Sequence, residues 1–82
     1  MPEKILFVDD DSNLLASYQR QLRGKYTVEI SPDGQQGLEA ISNHGPYPVI
    51  ISDYRMPGMN GVHFLSRARE IAPDSVRMLL TG

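Results

Sequence analysis

Two short runs, KILFV (4–8) and VIIS (49–52), carry no alternation of polar and apolar residues. A half-exposed strand alternates, because successive side chains point to opposite faces. A run that is apolar throughout suits a strand covered on both faces, as in a parallel sheet. The stretches between have helical spacing. Leu14, Leu15, Tyr18 and Leu22 line one face of a first helix. Asp11, Ser12 and Asn13 are each good cap types for it, and Gly24 stands where a helix-terminating glycine belongs. YTVEI (26–30) is β-rich and alternating, which predicts a second strand near a sheet edge. SPDG is turn chemistry. A second helix follows over about 33–43, with Leu38 and Ile41 inward and Gly37 weakening it.

HGPYP breaks the chain before VIIS, which ends at Asp53. YRMPGMNG is a loop by its proline and glycine content. Asn60 caps a third helix with Phe64, Leu65, Ala68, Ile71 and Ala72 on one face, and Pro73 stops it. VRMLLTG is a fourth strand. The order β-α-β-α-β-α-β means an α/β fold with right-handed crossovers and a parallel sheet. At 82 residues the chain is at most one domain, and a lone core of that size is marginal.

Composition narrows the function. Hydrophobic residues at 40% and charged residues at 22% describe a folded chain rather than a disordered one. A formal net charge of -2 gives this segment no basic surface for nucleic acid or anionic membrane. The absence of cysteine removes disulfides and thiolate metal sites, and fits a reducing compartment. MPEKILFVDDD does not read as a signal peptide, because its apolar run is short and followed by acid. No stretch approaches the roughly 20 apolar residues that span a bilayer.

In open parallel sheets, ligands bind outside the carboxyl ends of the strands. The first strand ends in Asp9 and Asp10, the third in Asp53 and the fourth in Thr81. If the first and third strands are neighbours, three carboxylates converge at one rim with a hydroxyl beside them. Clustered carboxylates repel, and their pKa values rise unless a cation sits among them. Mg²⁺ is such a cation, with its preference for carboxylate, water and phosphate oxygens. Asp11 either caps the first helix or favours its positive end.

With these residues in view, FVDDD, DYRMPGMNG and LLTG together resemble the receiver domain of bacterial two-component response regulators. The resemblance runs along the whole chain. Its specific part is D-x-x-M-P-x-M-x-G after an apolar strand, with Asp-Asp one strand earlier and Thr one strand later. It implies a flavodoxin-like, doubly wound parallel sheet of order 2-1-3-4-5. Asp53 would be the phosphoacceptor, taking a phosphoryl group from a sensor histidine kinase or phosphotransfer protein. Asp10, Asp53 and the backbone carbonyl of Arg55 would bind Mg²⁺, with Asp9 acting mainly through metal-bound water. Thr81 would reorient toward the phosphoryl group and report its presence.

The resemblance also implies parts that this chain lacks: another helix, a fifth strand with a phosphoryl-pairing lysine, and a last helix. Neither Lys4 nor Lys25 lies where that lysine belongs. Residues 1–82 are therefore expected to be the N-terminal portion of one receiver domain from a cytoplasmic bacterial protein. The output domain would lie outside the chain. Mg²⁺ binding would survive in such a piece and phosphorylation would be impaired. The open edge of the fourth strand and an uncovered sheet face would favour self-association.

Plainer readings cover other residues. Met56 and Met59 pack beneath the turn made by Pro57 and Gly58, and Gly61 permits the loop geometry. His44 and His63 are single and far apart, which disfavours metal ligation. The Arg55 guanidinium faces solvent or a phosphoryl donor. Tyr54 and Arg77 take no role. An Asp-nucleophile phosphatase would want an acid two residues after Asp53, where Arg55 stands. A nucleotide-binding module would want glycines after the first strand, where the chain reads DDDSN. The reading is thus a phosphoacceptor rather than an enzyme acting on outside substrates. A phosphorylation-independent pseudo-receiver is the alternative.

Overall fold

The computed structural model describes residues 3–81. Met1 and Pro2 of the starting MPEK and Gly82 of the terminal LLTG lie outside the described residues. The elements are β1 (Lys4–Val8), α1 (Ser12–Leu22), β2 (Thr27–Ser31), α2 (Gly34–His44), β3 (Val49–Asp53), α3 (Gly61–Ile71) and β4 (Val76–Leu80). The strands form one parallel sheet in the order β2-β1-β3-β4. The fold is therefore α/β and flavodoxin-like, and the first and third strands are neighbours.

β1 and β3 lack alternation because helices lie on both sides of them. Leu6, Val8 and Ile50 face α2 and α3, where they join Leu38, Ile41, Tyr47, Met56, Phe64 and Ala68 in one core. Ile5 and Phe7 face α1 and pack with Leu15 and Val28. Phe7 stacks on Tyr18 with ring centroids 4.4 Å apart. Each fully buried side chain of this size contributes about 1.5–3 kcal/mol by leaving water.

Several details differ from the pattern read off the sequence. β2 begins one residue later than expected and ends at Ser31, so Tyr26 stays outside it and exposed. Leu14 and Ile71 are exposed, because each sits at the margin of its helix's buried stripe. Gly37 does more than weaken α2. A Cβ there would press on Phe64 and Val8, so the glycine lets α2 approach the core closely. Gly34 likewise makes room for Met59.

β4 is an edge strand. Its register places Val76, Met78 and Leu80 on the same face as Val49 and Ile51. α1 packs over β1 and β2, and among the described residues Val76 and Met78 remain about half exposed.

Candidate functional site

The register Val8↔Ser52 sets the ends of β1 and β3 level, so the residues just beyond that pair share one rim. These are Asp9 and Asp53. One carboxylate oxygen from each of Asp9, Asp10 and Asp53 can be chosen so that all lie within 4.8 Å of one another. Asp9 is buried, Asp53 half-buried and Asp10 exposed. The Asp9 amide donates to the Ser31 carbonyl at 3.1 Å, which carries the β1–β2 ladder to the rim and holds Asp9 in place.

Asp11 resolves into a cap. Its Oδ1 accepts the amides of Asn13 and Leu14, both at 3.1 Å, at the start of α1. The Asp11 amide in turn donates to Asp9 Oδ1 at 3.0 Å. Burial pushes the Asp9 carboxyl above its usual range, the Asp11 amide partly offsets this, and the charges of Asp53, Asp10 and Asp11 push it further up. Among the described residues the only side-chain ion pair is Lys4–Glu29, which belongs to β1 and β2 and lies apart from this cluster. The site is thus an excess of hard oxygen donors without a protein cation paired to it. That donor set fits Mg²⁺, which binds through carboxylate and other oxygens.

The loop after β3 is held against Asp53. The Tyr54 amide donates to the Leu80 carbonyl at 3.0 Å, extending the β3–β4 ladder one step. The Tyr54 carbonyl then accepts the Gly61 amide at 2.8 Å, which closes the loop at the start of α3. A Cβ on Gly61 would run into the Asp53 carbonyl oxygen and the Leu79 side chain. Gly58 turns the chain with φ +77, a value that L side chains rarely adopt. Met56 is buried in the core, and Met59 packs against it from the loop. Asn60 Oδ1 caps α3 by accepting the His63 amide at 2.9 Å.

Two openings flank this loop. One is lined by Asp53, Tyr54, Arg55 and Thr81. The other is lined by Asp10, Tyr54, Arg55, Met56, Pro57 and Asn60. Thr81 follows β4 and is exposed. The structure brings together Asp9, Asp10 and Asp53, and it sets Arg55 and Thr81 beside Asp53. His44 closes α2, and His63 lies in the first turn of α3. Neither joins the carboxylate group. Sequence reasoning left Tyr54 without a role and passed over Asn60 as a lining residue. The available signal was position: Tyr54 directly follows Asp53 and continues its strand.

Fold and rim define a class: a flavodoxin-like parallel α/β domain with an acidic pocket at the strand ends. The chain belongs to the response regulator receiver domain family, whose model matches residues 5–82. It is 35% identical over 83 residues to the response regulator MprA of Mycobacterium sp. (strain KMS), covering 100% of this chain and 36% of that protein. It is 38% identical to the hydrogenase transcriptional regulatory protein HoxA of Bradyrhizobium diazoefficiens, covering 95% of this chain and 16% of that one. Among solved structures, an adenylate cyclase from Rhodopirellula baltica superposes with a TM-score of 0.96 at 41% identity, over 100% of this chain and 61% of its own. The response regulator TrrA of Thermotoga maritima, solved in complex with Mg(2+)-BeF, gives 0.87 at 29% identity, over 96% and 69%.

The chain thus spans about a third or less of these curated relatives. Receiver domains bind Mg²⁺ at an acidic pocket, and the Asp9–Asp10–Asp53 group is an acidic cluster of that kind. No described helix is long and apolar enough to cross a membrane.

Proposed function

We propose that this segment accepts a phosphoryl group on Asp53, with Mg²⁺ bound at the same rim. The observation that carries the reading is the convergence of Asp53 with Asp9 and Asp10, in a receiver-family chain, beside Thr81. The Mg(2+)-BeF complex of TrrA supports it by similarity. Asp10, Asp53 and the Arg55 carbonyl would hold the ion, and Asp9 would act mainly through water bound to it. When bound, Mg²⁺ neutralises charge on the carboxylates and on the phosphoryl oxygens.

The chain's own chemistry is then short. An Asp53 oxygen attacks phosphorus in line. With a phosphohistidine donor the P–N bond breaks, and the imidazole leaves with the bonding pair and takes a proton from solvent. An acyl phosphate remains on Asp53. Ionised carboxylates are competent nucleophiles in such transfers. Half-burial of Asp53 and the closed loop at Gly61 keep the nucleophile positioned. Thr81 offers a hydroxyl to the new phosphoryl oxygens from the end of β4, so the modified state is felt along that strand. A sensor histidine kinase or phosphotransfer protein would supply the group in the cytoplasm, and a C-terminal output element would read it. The relatives carry different outputs, so this segment's own part is reception.

An intact mass spectrum before and after incubation with acetyl phosphate tests the reading. The protein should gain one phosphoryl group with Mg²⁺, none without it, and none as Asp53→Asn. Equal labelling of Asp53→Asn would overturn the assignment.

A further inference from the structure

The Asp53 carboxylate hangs from a strand end, so its aim depends on the peptide plane that follows it. That plane carries the Asp53 carbonyl on one side and the Tyr54 amide on the other. The β1–β3 register ends at Val8↔Ser52, so pairing with β1 stops short of it. Two other groups hold it. The Leu80 carbonyl accepts the Tyr54 amide at 3.0 Å, one residue before Thr81. The Ser52 hydroxyl donates to the Asp53 carbonyl at 2.9 Å. The start of α3 crowds the same carbonyl, since a Cβ on Gly61 would come within 2.2 Å of its oxygen. The plane is therefore held by β4 from one side and by the residue before the acceptor from the other.

Ser52 is otherwise an odd choice. It lies on the face of β3 that also carries Ile50, and both are fully buried. A position that needed only bulk would favour a β-branched apolar side chain. A hydroxyl costs free energy to bury unless it is bonded, and this one is bonded to the acceptor's own main chain.

We propose that Ser52 is a positioning residue for phosphoryl transfer: its hydroxyl holds the peptide plane after Asp53, and through it the in-line aim of the Asp53 carboxylate. The inference rests on the phosphoacceptor reading and deepens it. Without the hydroxyl, a crowded carbonyl loses its donor, and the peptide turns to find another. That turn is taken up at ψ of Asp53 and φ of Tyr54, so the Cα carrying the carboxylate is no longer fixed. It also strains the Tyr54–Leu80 bond, which ties the acceptor to the end of β4. Small misplacements of a nucleophile are costly in rate.

The covalent step is unchanged. An Asp53 oxygen bonds to phosphorus of acetyl phosphate, and acetate leaves with the P–O bonding pair. Ser52 keeps its proton throughout.

The test follows acetyl phosphate uptake by intact mass at saturating Mg²⁺, for wild type, Ser52→Ala, Ser52→Cys, Ser52→Thr and Asp53→Asn. It is run at a temperature where melting curves show each variant folded. Cysteine is close to serine in size and donates poorly, whereas threonine keeps the hydroxyl. Ser52→Ala and Ser52→Cys should both take up the group more slowly, on the order of fivefold, the worth of one hydrogen bond. Ser52→Thr should restore most of the rate. Wild-type uptake by Ser52→Ala and Ser52→Cys overturns the inference alone. So does an equal deficit in a folded Ser52→Thr, which would mean that packing and not the hydrogen bond matters. Should Ser52→Thr fail to fold, the rate of folded Ser52→Cys decides: slowed uptake upholds the inference and wild-type uptake overturns it. Labelling of Asp53→Asn at the wild-type rate overturns the acceptor reading and this inference with it.

Discussion

The two ends of this sheet solve opposite problems. At the base, Tyr47 is fully buried and its phenol donates to Glu29, which also faces Lys4 at 3.7 Å. The Lys4 ammonium lies 4.8 Å from the Tyr47 ring centroid and donates to the His44 carbonyl. Ser75 donates to the Tyr47 carbonyl, and the Val76 amide reaches the Pro48 carbonyl at 2.8 Å. Lys4 and Glu29 each have an opposite charge or a dipole against them. At the rim, three carboxylates share a space of a few ångströms, and none of them is in an ion pair among the described residues. A structure that only had to be stable would treat both ends alike. The difference separates an end that holds the chain together from one where burial raises the Asp9 carboxyl, a pattern common at functional clefts.

Substitutions at the two ends should therefore read out differently, and the largest effect should come from the rim's backbone. Gly61→Ala places a methyl against the Asp53 carbonyl, and should cost about 3 kcal/mol by urea unfolding. A loss under about 0.5 kcal/mol would mean that the loop yields easily, and would weaken the case for a rigid acceptor.

A smaller loss is expected at the base. Tyr47→Phe removes the phenol that Glu29 accepts from, and should cost about 1–2 kcal/mol of stability with no change in Mg²⁺ affinity. Burial and the neighbouring Glu29 carboxylate already push that phenol far above its ordinary range, so it stays a donor at any physiological pH. Altered Mg²⁺ binding in Tyr47→Phe would break the separation of the two ends.

The smallest effect should be a gain. Asp9 holds its proton more tightly in the folded protein than in the unfolded chain. Such a group leaves stability intact below the unfolded carboxylate range and removes it as pH rises through the folded pKa. Without metal, Asp9→Asn should melt slightly above wild type at pH 7 and level with it near pH 3. Adding Mg²⁺ should raise the melting temperature of wild type more than that of Asp9→Asn. Equal melting at pH 7 in metal-free buffer would show that the rim carries less repulsion than its geometry implies.

Much of this was legible in the order of residues. Strand and helix periods, the caps at Asp11 and Asn60, and the turn at Pro57 and Gly58 are local, since each depends on neighbours a few positions away. The carboxylate cluster was legible because parallel strands deliver their C-terminal residues to one rim. Other features were not. Gly37 looked like a weak point in α2, and only the approach of Phe64 and Val8 shows its use. Tyr47 sat inside what read as a chain break, because Glu29 and Ser75 lie 18 and 28 residues away. Leu14 and Leu15 are equally apolar, and the position of β1 decides that Leu15 is buried and Leu14 is not.

By itself, then, the sequence determined the element order, the parallel class of the sheet and the identity of the groups that could meet at its rim. Periodicity and turn chemistry act over a few bonds, so a linear reading captures them. Tertiary structure decided the adjacency of β1 and β3, and with it the distances among Asp9, Asp10 and Asp53. It also decided the burial that raises the Asp9 pKa and the placement of Arg55 and Thr81 beside Asp53. Charge interaction and desolvation depend on distance through space, and the fold sets that distance between residues far apart along the chain.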